Sequence, residues 1–119
     1  MTYQKRLGNA GELIAEEYLT RQGFQILEKN FNSRYGEIDL VAIDLNCVVF
    51  IEVKTRTSTE FGNPEDSISP SKLLKLENAA LLWMEAHPEA PDDWRIDVIA
   101  ILLDHQKNVK DLRHFKVSD

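Results

Sequence analysis

Two runs of strand-forming residues, Gly36 to Asp44 and Cys47 to Thr55, are separated only by Leu45-Asn46. So short a link returns the chain beside itself, which predicts an antiparallel hairpin. Both runs are rich in Ile, Val and Leu, and each carries an acid: Asp39 in the first, Glu52 in the second. Lys54 follows Glu52 by two residues, so strand alternation puts both on one face, about 7 Å apart. The hairpin can bring Asp39 alongside at an inter-strand spacing of about 5 Å. An aspartate, a glutamate and a lysine then converge. Two hard oxygen ligands suit Mg2+ or Mn2+, and a lysine beside them can orient a water or offset charge on a phosphate. That pattern points to metal-dependent phosphodiester hydrolysis.

The remaining chain alternates helix and strand. Leu7, Ala10, Ile14 and Tyr18 recur at helical spacing, predicting a helix over Gly8–Gln22 that is closed by Gly23 and carries Glu12, Glu16 and Glu17. Phe24–Phe31 reads as a strand and 32–36 as a turn. Residues 57–69, with Gly62-Asn63-Pro64, lack periodicity and are expected to form a loop following the acid–lysine strand, where loops often touch substrate. Ser69 or Ser71 can cap a second helix with Pro70 in its first turn, buried along Leu73, Leu76, Ala80 and Trp83 and stopped by His87-Pro88. Trp94–Leu103 is a long apolar strand and Leu112–Val117 a short edge strand. The expected fold is α/β, α-β-β-β-α-β with a terminal addition, a mixed sheet flanked by helices.

At 119 residues and 43% hydrophobic content, residues 1–119 are expected to form a single domain. The start lacks an apolar signal segment and no stretch approaches the ~20 apolar residues of a membrane span, so a cytoplasmic protein with no membrane partner is expected. The lone Cys47 reads as a packed small hydrophobe, and His87, His105 and His114 lack metal-ligand spacing. The formal net charge of −6 argues against a general grip on nucleic acid. That excess is uneven: residues 1–56 hold seven basic and eight acidic groups, and residues 57–119 hold seven and twelve.

The helix with Gly11-Glu12, the Gly36-Glu37-Ile38-Asp39-Leu40 strand, the Phe50-Ile51-Glu52-Val53-Lys54-Thr55-Arg56 strand and Arg95-Ile96-Asp97-Val98 together resemble the YraN-like proteins over nearly the whole chain. The resemblance implies a restriction-endonuclease-like core and motifs similar to those of archaeal Holliday-junction resolvases. Carried over by position, it implies Asp39 and Glu52 as metal-binding acids, Lys54 as the catalytic lysine and Glu12 as an additional metal or water ligand. Ile38 stands where the commonest motif of this superfamily has a proline, a change that resolvase-like members tolerate.

Simpler readings stand beside these. Glu52 and Lys54 can be a same-face ion pair, and Glu12 a first-turn residue stabilised by the helix dipole. Glu37, in phase with Asp39, reads as a supporting residue, and Asp97 beside Arg95 as a structural ion pair. Arg34, Arg56, Lys72 and Lys75 form a local basic set able to contact phosphates. The leading expectation is a Mg2+- or Mn2+-dependent endonuclease acting on DNA, branched or otherwise structured, with homodimerisation left open. The alternative is a nucleic-acid-binding or interaction module that keeps the fold without cutting.

Overall fold

The computed structural model describes residues 2–57 and 68–118. The loop expected around Gly62-Asn63-Pro64 therefore lies outside the described residues. Helix α1 spans Tyr3–Arg21, and strands β1 (Gln25–Ser33), β2 (Gly36–Asp44) and β3 (Cys47–Arg56) follow. Helix α2 spans Pro70–Ala86, before β4 (Trp94–Leu103) and β5 (Val109–Ser118). The sheet order is β1-β2-β3-β4-β5, with β3 and β4 parallel and the other neighbours antiparallel. This is the expected α-β-β-β-α-β order with β5 added, consistent with a restriction-endonuclease-like core.

Local chemistry explains most boundaries. The β2–β3 turn places Leu45 and Asn46 at φ of 48° and 64°, the doubly left-handed geometry of a two-residue hairpin that matches strand twist. α1 begins five residues before the expected Gly8, because Thr2 caps it by accepting a bond from the Lys5 N–H at 3.1 Å. Ser69, rather than Ser71, caps α2 by accepting from the Lys72 N–H at 3.1 Å, with Pro70 as the first helical residue. β5 is longer than the expected edge strand, since its register with β4 runs from Val109 to Ser118 across two irregularities.

The two helices cover opposite faces. Ala15 and Leu19 of α1 pack with Leu40, Ala42, Val49, Ile51, Ile99 and Ile101. Leu76, Ala79, Ala80 and Trp83 of α2 pack with Ile38, Val41, Val48, Phe50 and Ile96. The central strands are thus buried on both sides, which is why they read as near-continuous apolar runs. Among the described residues no helix is long and apolar enough to cross a membrane.

One local break in this pattern matters. Strict alternation would set Ile38 and Leu40 on the same face, yet Ile38 packs on the α2 side and Leu40 on the α1 side. Opposite this step β1 is also irregular, with Asn30 at φ 54° between the pairs Lys29–Leu40 and Phe31–Ile38. The β2–β3 ladder ends here too, at Leu40–Ile51. Asp39 sits at the step.

Candidate metal centre

Where the β2–β3 ladder stops, the Val53 N–H donates to Asp39 Oδ2 at 2.8 Å, taking a side-chain acceptor in place of a strand one. That bond fixes the Asp39 carboxyl against β3. Glu52, opposite it, continues the Val48–Phe50 side of β3 and is 6% exposed. The Asp39 and Glu52 carboxyls lie within hydrogen-bonding reach, a bond that requires a proton on one of them.

α1 supplies the third acid. Gly11 is buried against Thr55: a Cβ there would fall 1.8 Å from Thr55 Oγ1. Only a glycine lets the helix approach β3 this closely, and the next residue, Glu12, is thereby carried to the Asp39 site. Asn30, in its left-handed conformation, donates from Nδ2 to Glu12 Oε1 at 3.2 Å. One carboxylate oxygen from each of Glu12, Glu37 and Asp39 lies within 4.8 Å of the others. Glu12 lies well inside α1, so the dipole of a first helical turn does not account for it.

The acids perturb one another. Burial, then the hydrogen bond and charge of Glu52, push Asp39 up to about 8 from an ordinary 3.8, opposed by the Val53 N–H. Burial, then the charges of Glu37 and Glu52, also raise Glu12, with Lys29 opposing. Glu52 Oε2 is buried without a hydrogen-bond partner among the described residues. The Lys72 Nζ is 3.2 Å from it, in charge contact but off the line of a hydrogen bond. Hard carboxylate oxygens, one of them buried and met only by an ammonium, and the raised proton affinities of Asp39 and Glu12 form a donor set that fits a divalent cation better than it fits an empty interior.

These groups open onto a cavity of about 760 Å³ that Glu12, Asp39, Glu52, Lys54 and Arg56 all line. The structure thus brings together Glu12, Asp39, Glu52, Lys54 and Arg56 from the sequence-derived set. Lys72 reaches the site by its contact with Glu52. Arg34 and Lys75 are not in the cavity wall; Arg34 bonds Tyr35 Oη at 3.2 Å and lies over its ring. Glu37 enters the acid cluster more closely than a supporting role suggested, and its phase with Asp39 was the available signal. Asn30 and the Gly11–Thr55 contact carried no local signal, because both depend on how α1 docks.

A family model described as "Uncharacterised protein family UPF0102" matches residues 11–101. A UPF0102 protein of Syntrophomonas wolfei is 43% identical over 104 residues, covering 87% of this chain and 90% of its own length. One from Geotalea daltonii is 43% identical over 113 residues, covering 94% and 87%. One from Chlorobium limicola is 41% identical over 111 residues, covering 93% and 85%. The matched span runs from Gly11, at the α1–β3 contact, into β4, so it includes Glu12, Glu37, Asp39, Glu52 and Lys54, and the chain belongs to the UPF0102 family.

Proposed function

We propose that this protein is a Mg2+- or Mn2+-dependent endonuclease that hydrolyses phosphodiester bonds in DNA, branched or otherwise structured. The observation that carries this reading is the crowding of Glu12, Glu37 and Asp39, with Glu12, Asp39 and the buried Glu52 lining one cavity beside Lys54. Asp39 and Glu52 hold the cation, with Glu12 as a further ligand, directly or through water. When bound, a divalent cation supplies Lewis-acid polarisation of the phosphate and lowers the pKa of water. The Val53 N–H keeps Asp39 aimed, and Asn30 does the same for Glu12. Lys54 orients the attacking water and offsets the charge that builds on the phosphate oxygens. Arg56, also in the cavity wall, grips a neighbouring phosphate.

The alternative is a nucleic-acid-binding or interaction module without cleavage, favoured by the net charge of −6. The experiment is a Mn2+-dependent cleavage assay on four-way-junction, flap, duplex and single-stranded DNA, with Lys54→Ala as the partner variant. Cutting that Lys54→Ala abolishes while Mn2+ binding persists is the expected result. Salt-sensitive binding with no cutting of any substrate selects the alternative, and no binding at low salt rejects both.

A further inference from the structure

Glu52 is held from two sides. Toward Asp39 its neighbours are acids, and from α2 Lys72 reaches it. The Glu52 side chain is 8% exposed and that of Lys72 38%, so a solvent-edge lysine extends onto a buried carboxylate. The backbone of Lys72 is fixed, because its N–H is bonded to the Ser69 cap and α2 is pinned through Leu76, Ala79, Ala80 and Trp83. Only side-chain torsions separate a bound ammonium from a released one. The contact is also badly aligned for a hydrogen bond, leaving Oε2 without a partner of that kind. A lysine is a compact charge on a flexible stem, suited to moving without disturbing its helix.

We propose that Lys72 is an exchangeable counterion: it neutralises Glu52 while the acid pocket holds no metal, and a divalent cation displaces it, freeing the ammonium for a phosphate of the nucleic acid. The inference rests on the metal-centre reading above. An ammonium and a cation cannot both occupy the space in front of Glu52 Oε2. Metal loading and phosphate binding are thereby coupled through one side chain, with α2 unmoved. A purely structural ion pair makes no such demand, and a lysine that pre-shapes Glu52 for the metal makes the opposite one.

The test is calorimetric titration of the full chain with MnCl2 for the wild type, Lys72→Met, Lys72→Gln and Lys75→Met. Removing the competitor tightens Mn2+ binding by about three- to tenfold in both Lys72 variants. Lys75→Met, which removes the same charge from the neighbouring part of α2, changes it by less than about twofold. Binding to a phosphorothioate-substituted, uncleavable four-way junction is the second readout, and Mn2+ strengthens it more in the wild type than in Lys72→Met. Unchanged or weaker Mn2+ binding in the Lys72 variants overturns the exchange and leaves the metal centre standing, and equal tightening in Lys75→Met reduces it to a general field effect and overturns it too. A wild type that binds no Mn2+ overturns the metal centre and the exchange with it.

Discussion

Asp97 on β4 and Glu52 on β3 are both taken out of water, on neighbouring strands, and they are treated in opposite ways. Asp97 is fully buried and surrounded by donors: Arg95 Nε at 3.0 Å, Arg95 Nη2 at 3.4 Å and His114 Nε2 at 2.7 Å. The network extends outward, since Arg95 also reaches Asp44 at 3.3 Å and the other nitrogen of His114 bonds the Tyr18 hydroxyl at 3.0 Å. It joins α1, β2, β4 and β5. Around Glu52 and Asp39 the neighbours are other carboxyls, with Val53 N–H and Lys72 as the contacts of opposite character. A buried acid whose donors are complete ties elements together, whereas a buried acid crowded by other carboxyls with few donors is held at a disadvantage that a ligand can relieve.

Mutation of the compensated acid should give the largest effect. Asp97→Ala leaves Arg95 and His114 facing an empty interior and lowers folding stability by about 3–5 kcal/mol in urea denaturation. Cation affinity should follow only as far as the fold does. A loss below about 1 kcal/mol would mean that the network is not structural.

The converse holds for the other acid. Asp39→Asn weakens Mn2+ binding by about 100-fold, or about 2.7 kcal/mol, while the metal-free protein becomes more stable at neutral pH because an amide needs no proton to be buried beside Glu52. Calorimetry and thermal melts read the two effects separately. A variant that loses metal-free stability as Asp97→Ala does would erase the contrast between the two regions.

Gly11→Ala sharpens the comparison by moving α1. A methyl group 1.8 Å from Thr55 Oγ1 forces the helix or the threonine aside, lowering stability by about 1–3 kcal/mol. Glu12 shifts with it, so Mn2+ binding weakens while Tyr18, later on α1, keeps its bond to His114 and the near-ultraviolet signal of that region changes less. Unaltered Mn2+ affinity would detach Glu12 from the site.

The last effect is read as a slope and concerns protons. Between the ordinary aspartate value of 3.8 and about 8 the native Asp39 site holds a proton that the unfolded chain has released. The stability this confers is complete below the lower value and is lost as pH rises through the upper one, at up to about 1.4 kcal/mol per pH unit. Saturating Mn2+ or Asp39→Asn should flatten that slope in denaturation curves measured from pH 5 to 9. An unchanged slope in both would remove Asp39 as its source.

Periodicity and turn chemistry were sufficient for the elements: the Leu45-Asn46 link, the Ser69-Pro70 helix start and the Leu76–Trp83 stripe are local signals. The early start of α1 was not legible, because the Thr2 cap precedes the first periodic residue. The extension of β5 to Val109 depends on pairing with β4, a non-local partner that its own residues do not reveal.

By itself the sequence determined that Asp39, Glu52 and Lys54 lie on adjacent strands, since alternation and a two-residue link leave little geometric freedom. The family resemblance had already put Glu12 with Asp39; only the tertiary structure decided that Glu37 joins them, that Lys72 rather than solvent meets Glu52, and that Arg34 and Lys75 are outside the cavity. The face change between Ile38 and Leu40, the left-handed Asn30 and the Gly11–Thr55 contact bring these groups together. Each arises where separate elements pack, and the burial and electrostatic field of a carboxyl are set there by neighbours distant in the chain.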